Sequence, residues 1–152
     1  MIRLGLVIAA MLTACAPANG ALVSAADIDG DRLERPLTQD AGDPQRGQAI
    51  FIAREQGHCV LCHVVENLDV EFQGNVGPTL TSVADRLDPA QLRLRVVDYQ
   101  IVRPGTLMPS YYRIHDLYRV GEHFQNAPVL SAQDVEDVVA YLGTLKTMTE
   151  HE

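Results

Sequence analysis

The chain has 152 residues, 47 % of them hydrophobic and 21 % charged, enough for one domain with its own core. Its formal charge is −8, and eleven of its twelve basic residues are arginine, Lys146 being the exception. That balance excludes nucleic acid as a partner, because no phosphate-neutralising patch is present, and it leaves no ring of lysines for docking acidic proteins.

At the N-terminus, Arg3 is followed by the apolar run Leu4-Gly5-Leu6-Val7-Ile8-Ala9-Ala10-Met11-Leu12, then small residues and a proline. The run is too short to cross a bilayer, so residues 1–25 are predicted to be a secretory signal peptide. Two processing routes are open. Leu12-Thr13-Ala14-Cys15 resembles a bacterial lipobox, in which Cys15 is lipidated and becomes the first mature residue. Alternatively, cleavage after a small-x-small site such as Ala16-Pro17-Ala18 or Val23-Ser24-Ala25 removes Cys15 altogether. Both routes place the protein in the periplasm, with a membrane attachment only if Cys15 carries lipid.

Residues 26–42 mix Asp, Arg, Pro and isolated apolar positions without periodicity, which reads as an extended N-terminal arm or a disordered tail. The folded domain is predicted over 43–148. It opens at Asp43-Pro44, an N-cap followed by proline at the first helical position, and the helix runs to about Arg54 with Gly47, Ile50, Phe51 and Arg54 on one side.

Directly after it comes Cys59-Val60-Leu61-Cys62-His63. This is the attachment signature of a c-type haem: two thiols three positions apart form thioethers to one porphyrin, and the next histidine falls beneath the iron as its proximal ligand. A zinc site would need further ligands at ligand-like spacing, and none follow; a thioredoxin-like dithiol would follow a strand, which Glu55-Gln56-Gly57-His58 does not suggest. The chain holds three cysteines. With Cys59 and Cys62 on haem and Cys15 removed or lipidated, the mature domain keeps no free thiol and forms no disulfide.

Asn75-Val76-Gly77-Pro78 is a turn. The carbonyl of Pro78, fifteen residues after His63, is placed to accept the proton on the outer nitrogen of that histidine; a plain turn proline is the alternative. A second helix is predicted from Asp88-Pro89 to about Val102, with Leu92, Val96, Tyr99 and Leu94 as its apolar stripe, ended by Arg103-Pro104-Gly105. The following loop carries Met108. Met1 and Met11 lie in the signal peptide and Met148 lies past the last helix, so Met108 is the candidate sixth ligand, and a thioether there suits a low-spin electron carrier. His115 and His123 compete for that role; His58 adjoins Cys59, and His151 is in the tail. The last helix is capped by Ser131 with Asp134 as in a capping box and runs to about Thr147. Its buried face is Val135, Val138, Val139, Leu142 and Leu145. No strand pattern of useful length occurs, so the fold class is all-α.

This arrangement resembles the small single-haem cytochrome c fold, in which N- and C-terminal helices cross over the haem, with Gly47 and Phe51 meeting Tyr141 and Leu142. Only this resemblance favours a Pro78 carbonyl that accepts from His63 over a plain turn proline. Three further stretches narrow it: Gln73-Gly74-Asn75-Val76-Gly77-Pro78, Met108-Pro109-Ser110-Tyr111-Tyr112-Arg113, and Pro128-Val129-Leu130-Ser131 continuing through Tyr141-Leu142. In this order behind the Cys59 motif, they resemble the SoxX family, the single-haem subunits of the SoxAX cytochromes of bacterial sulfur oxidation. The match runs from about Asp43 to Lys146 and leaves out the arm and lipobox.

The resemblance implies one covalently bound haem c per chain and a SoxA-type partner subunit. It also implies a part in joining thiosulfate to a cysteine of the SoxYZ carrier (L-cysteine S-thiosulfotransferase), with electrons leaving to a small cytochrome c. The sulfur chemistry belongs in that family to SoxA, so no catalytic residue is assigned to this chain. The segment 111–124 holds Tyr111, Tyr112, Tyr118 and Phe124 among charged residues; it reads either as the interface with the partner or as a cover over the Met side of the haem. Two rival functions remain: a free-standing electron shuttle, which shares every haem-binding residue, and a sensor haem with an open sixth position, which requires Met108 not to bind iron.

Overall fold

The computed structural model describes residues 22–147. The signal peptide, Cys15 and the tail with Met148 and His151 are outside them, apart from residues 22–25. The architecture is three α-helices, α1 (Pro44–Ile52), α2 (Pro89–Val102) and α3 (Ala132–Thr144), with 3-10 turns at Ala25–Asp27, Cys59–Leu61, Val83–Asp85 and Glu122–Phe124. Among the described residues there is no strand, only an isolated bridge between Asp29 and Arg32.

Side chains at the helix starts satisfy the orphan amides. The Asp43 carboxylate accepts from the amides of Gln45 and Arg46, that of Asp88 accepts from Ala90 and Gln91, and the Ser131 hydroxyl accepts from Asp134. Two helices stop earlier than the sequence suggests. α1 ends at Ile52 because Ala53 turns extended and the chain folds back, Gly57 donating to the Ile50 carbonyl at 3.2 Å. α3 ends at Thr144 because the next residues leave the helix for the turn Val83–Asp85. There, Leu145 accepts from the Ala84 amide at 3.0 Å, and Thr147 donates to Asp85.

α1 and α3 cross where Gly47 meets Asp137 and Tyr141. A side-chain carbon on Gly47 would sit 1.9 Å from the Asp137 carbonyl oxygen, so only glycine lets the backbones approach this closely. Phe51 and Tyr141 pack edge to face beside it, ring centroids 5.4 Å apart. Phe51, Leu33, Leu94, Val97, Leu130, Val135 and Val138 are fully buried.

Leu33 comes from the N-terminal segment, which lies against the domain. The Arg93 guanidinium donates to the Leu33 carbonyl at 2.8 Å and forms a two-point pair with Glu136, at 2.8 and 2.9 Å. Glu136 also accepts from the Leu37 amide at 2.9 Å. Arg32 pairs with Asp88 at the start of α2. Arg93 and Glu136 are both about 6 % exposed, so a buried ion pair locks the arm between α2 and α3.

The stripe on α2 departs from expectation. Tyr99 is only half-buried, beneath the Arg95 guanidinium, while Leu92, Leu94, Val96 and Val97 are buried together with Arg93 and Asp98. The helix breaks at Asp98 (φ −161°, ψ 89°), so one 3.6-residue stripe cannot describe it.

Asp137 on α3 is almost wholly enclosed. Burial pushes its carboxyl up, but hydrogen bonds from the Arg46 guanidinium, the Asp43 amide and Gln133 outweigh this and hold it below the usual aspartate value. A depressed folded-state value gives stability that is present above the ordinary carboxylate range and is lost as pH falls through the folded one. Asp137→Asn should therefore lower stability at pH 7, and the deficit should shrink below about pH 4. Urea unfolding of both proteins across that range checks this; a constant deficit would show that Asp137 does not titrate between the two states.

Candidate haem site

The motif residues sit on the 3-10 turn Cys59–Leu61, entered through His58 in the left-handed region (φ 44°). The amides of Cys62 and His63 both donate to the Cys59 carbonyl, at 3.1 and 3.0 Å, which wraps the turn tightly and brings both cysteines and the imidazole onto one short segment. Burial pushes the Cys59 thiol up to about 12.

His63 is held by the turn that follows. The Gly77 amide donates to the Cys62 carbonyl at 2.8 Å, and its α-carbon lies flat on the imidazole: a side-chain carbon there would come within 2.3 Å of the ring. Next to it, Nδ1 of His63 is 2.8 Å from the Pro78 carbonyl oxygen. A carbonyl can only accept, so Nδ1 carries the hydrogen and donates it. Nε2 is then left with its lone pair, the tautomer a metal ligand requires.

Met108 lies half-buried in the loop after α2, its amide donating to the Thr106 hydroxyl at 3.2 Å. Residues that sequence reasoning did not assign hold this loop. Asp98, at the break in α2, accepts from the Ser110 hydroxyl at 2.6 Å and from the Arg113 guanidinium at 2.8 Å. The amides of Tyr111 and Tyr112 donate to the carbonyls of Val96 and Val97, at 3.4 and 3.1 Å. The Tyr111 hydroxyl donates to the Gly57 carbonyl at 2.9 Å, tying the segment after Met108 to the Cys59 turn. The only sequence signal for this clasp was an aspartate in an otherwise apolar stretch of helix.

His115 and His123 are exposed, and His58 is spent on the turn. Tyr112 is buried in the core and Tyr111 faces the Cys59 turn, so the first part of 111–124 belongs to the domain interior, while Tyr118 is 84 % exposed.

No group of three or more His, Cys, Asp or Glu that could hold a metal ion occurs among the described residues. Cys59, Cys62 and His63 do not form a bare metal site, but they fit a porphyrin, which brings its own four equatorial nitrogens. Cys59 and Cys62 would anchor the group, and His63 would ligate it through Nε2. Apolar Leu61, Val76 and Leu107 lie open beside these segments.

Residues 44–146 match the family model described as Cytochrome c. Among solved structures, a chain of the one described as the crystal structure of SoxXA from P. pantotrophus is 39 % identical, with a TM-score of 0.73; the match covers 78 % of this chain and 92 % of that one. No curated protein is matched.

Proposed function

The chain belongs to the cytochrome c family, in its SoxX group, and from that premise we propose that it is the single-haem electron-transfer subunit of a periplasmic SoxAX-type complex. The observation that carries this is the 39 % identity to a SoxXA chain over nearly its whole length. The complex would join thiosulfate to a cysteine of a SoxYZ-type carrier, with the sulfur chemistry on the SoxA-type subunit and this chain receiving electrons and passing them to a small cytochrome c.

The haem, when bound, supplies one-electron redox chemistry. Cys59 and Cys62 hold it covalently, one haem c per chain. His63, its ring held by Gly77 and the Pro78 carbonyl, would ligate the iron, and Met108 would supply the second protein ligand, a thioether that favours the reduced state and raises the potential. One haem holds one electron. A two-electron conjugation therefore uses this chain twice, or shares the load with a centre on the partner.

This chain offers a face for the partner subunit. A cleft of about 380 Å³ lies between the Met108 loop and the segment after it, lined by Pro109, Ser110, Tyr118, Arg119 and Phe124. Leu107 and Tyr118 project beside it, each 84 % exposed, and the Arg119 guanidinium lies over the Tyr118 ring. Exposed aromatic, arginine and aliphatic groups around a cleft are the composition of a protein interface. Tyr118→Ala should weaken binding to the SoxA-type subunit about tenfold or more while leaving the haem spectrum unchanged, as titration of the two subunits would read. Tyr112→Ala is no probe of that face, since Tyr112 is core.

The test of the function is optical. Thiosulfate should reduce the haem of this chain only when a SoxA-type subunit and a SoxYZ-type carrier are both present. Fast electron exchange with other cytochromes, but no reduction in that active mixture, would make the chain a free-standing shuttle.

A further inference from the structure

Residues 65–73 form a closed loop on the His63 side of the molecule. Gln73 ties it: its carbonyl oxygen accepts from the Val65 amide at 2.7 Å, and its amide nitrogen donates to the carbonyls of Val65 and Leu68, at 3.1 and 3.3 Å. Val65 and Leu68 are buried and Val70 packs on the core, so the loop is anchored from within. What it presents outward is Glu66, Asp69, Glu71 and Phe72, the phenylalanine 79 % exposed.

None of these three carboxylates has an ion-pair or hydrogen-bond partner among the described residues. Elsewhere the carboxylates of Asp27, Asp31, Asp43, Asp88, Asp98, Glu136 and Asp137 are paired with arginine. Those that are not, such as Asp29, Asp40, Glu55, Asp116 and Glu122, are scattered, whereas Glu66, Asp69 and Glu71 lie together on one loop around exposed Phe72. The loop leads straight onto the haem-attachment turn, the Gly74 amide donating to the Val60 carbonyl at 2.8 Å. Phe72 and Val76 therefore flank a segment bonded to that turn, and Leu61 on the turn is itself 61 % exposed.

Folding explains none of this outward set. Three like charges within six residues repel one another, and the apolar groups among them gain nothing from water. A permanent interface depletes charge from its centre, whereas unpaired charges of one sign speed encounter with a partner of the opposite sign and hold it briefly. We propose that Leu61, Phe72 and Val76, rimmed by Glu66, Asp69 and Glu71, are the transient docking surface for a soluble, basic electron carrier. This rests on the electron-transfer function above. The surface shares no residue with the cleft assigned to the SoxA-type subunit, so electrons enter and leave by different faces and the carrier can dock while the complex stays assembled.

The experiment uses the haem-loaded chain in complex with a SoxA-type subunit, reduced and mixed with an oxidised, lysine-rich small cytochrome c in a stopped-flow instrument. The wild-type rate should fall steeply with salt. In the triple variant Glu66→Gln, Asp69→Asn, Glu71→Gln it should be about tenfold lower at low ionic strength, nearly salt-independent, and convergent with wild type at high salt. Phe72→Ala should slow exchange at every salt concentration. All four positions are exposed, so an unchanged unfolding curve and an unchanged rate with an uncharged small-molecule oxidant serve as controls. A triple variant with wild-type rate and salt slope overturns the proposal. So does one that exchanges electrons normally but releases the SoxA-type subunit, which would assign the loop to the permanent interface. A wild-type complex that exchanges electrons with no cytochrome overturns the electron-transfer function itself, and this surface with it.

Discussion

Glu136→Ala should cost the domain about 3–5 kcal/mol, against a total of about 5–15 kcal/mol for a domain of this kind. The loss comes from what is stranded. Arg93 would keep its charge at 6 % exposure with only the Leu33 carbonyl as partner, and the Leu37 amide would lose its acceptor. An uncompensated buried charge is far more costly than an absent pair, so Arg93→Met combined with Glu136→Leu should recover most of the loss. It should still fall short of wild type by about 1–3 kcal/mol, because Leu33 and Leu37 keep backbone groups with no partner. Urea unfolding of the haem-loaded chain, followed by helix signal, measures both. A single variant that loses less than about 1 kcal/mol would mean that water reaches the pair and that the arm is not held through it.

The same residues mark what a sequence can and cannot disclose. The haem motif is legible because covalent chemistry fixes its spacing within five residues, and the helix starts are legible because caps act within three or four. The α1–α3 crossing was also readable: a glycine and a phenylalanine on one helix face a tyrosine and a leucine on the other, with Gly47 meeting Asp137 and Tyr141 at close approach. The pairing of Arg93 with Glu136 spans 43 residues, and that of Arg46 with Asp137 spans 91, so nothing local announces that Arg93, Glu136 and Asp137 are buried. Aperiodic residues around Leu33 read equally as an extended arm or a disordered tail because their burial is supplied by α2 and α3 rather than by their own pattern. The break at Asp98 escaped for a related reason. Periodicity assumes a continuous helix, and here the helix is interrupted by hydrogen bonds to a loop twelve residues on.

That interruption makes Asp98 the residue that holds the loop carrying Met108, the proposed second haem ligand. Its two carboxylate oxygens take Ser110 and Arg113 on the far side of Met108-Pro109, and the break leaves the carbonyls of Val96 and Val97 turned to the amides of Tyr111 and Tyr112. Arg113 has no slack, since its Nε is already buried without a partner. In Asp98→Ala the helix can close through position 98, the guanidinium loses its counter-charge, and the loop is released from α2. Two hydrogen bonds to a buried charge, at about 1.5–3 kcal/mol each, favour the held loop by roughly a hundredfold or more. Their loss should leave Met108 largely off the iron. The red charge-transfer band of methionine-ligated ferric haem should then fade, carbon monoxide should bind rapidly to the ferrous form, and the midpoint potential should drop. Asp98→Asn keeps the shape and one acceptor oxygen and should lie between the two. Met108→Ala supplies the reference spectrum. If it removes the band while Asp98→Ala retains it, the clasp is structural support only; if neither changes it, the sixth ligand is another residue, with the exposed His115 and His123 first to be replaced.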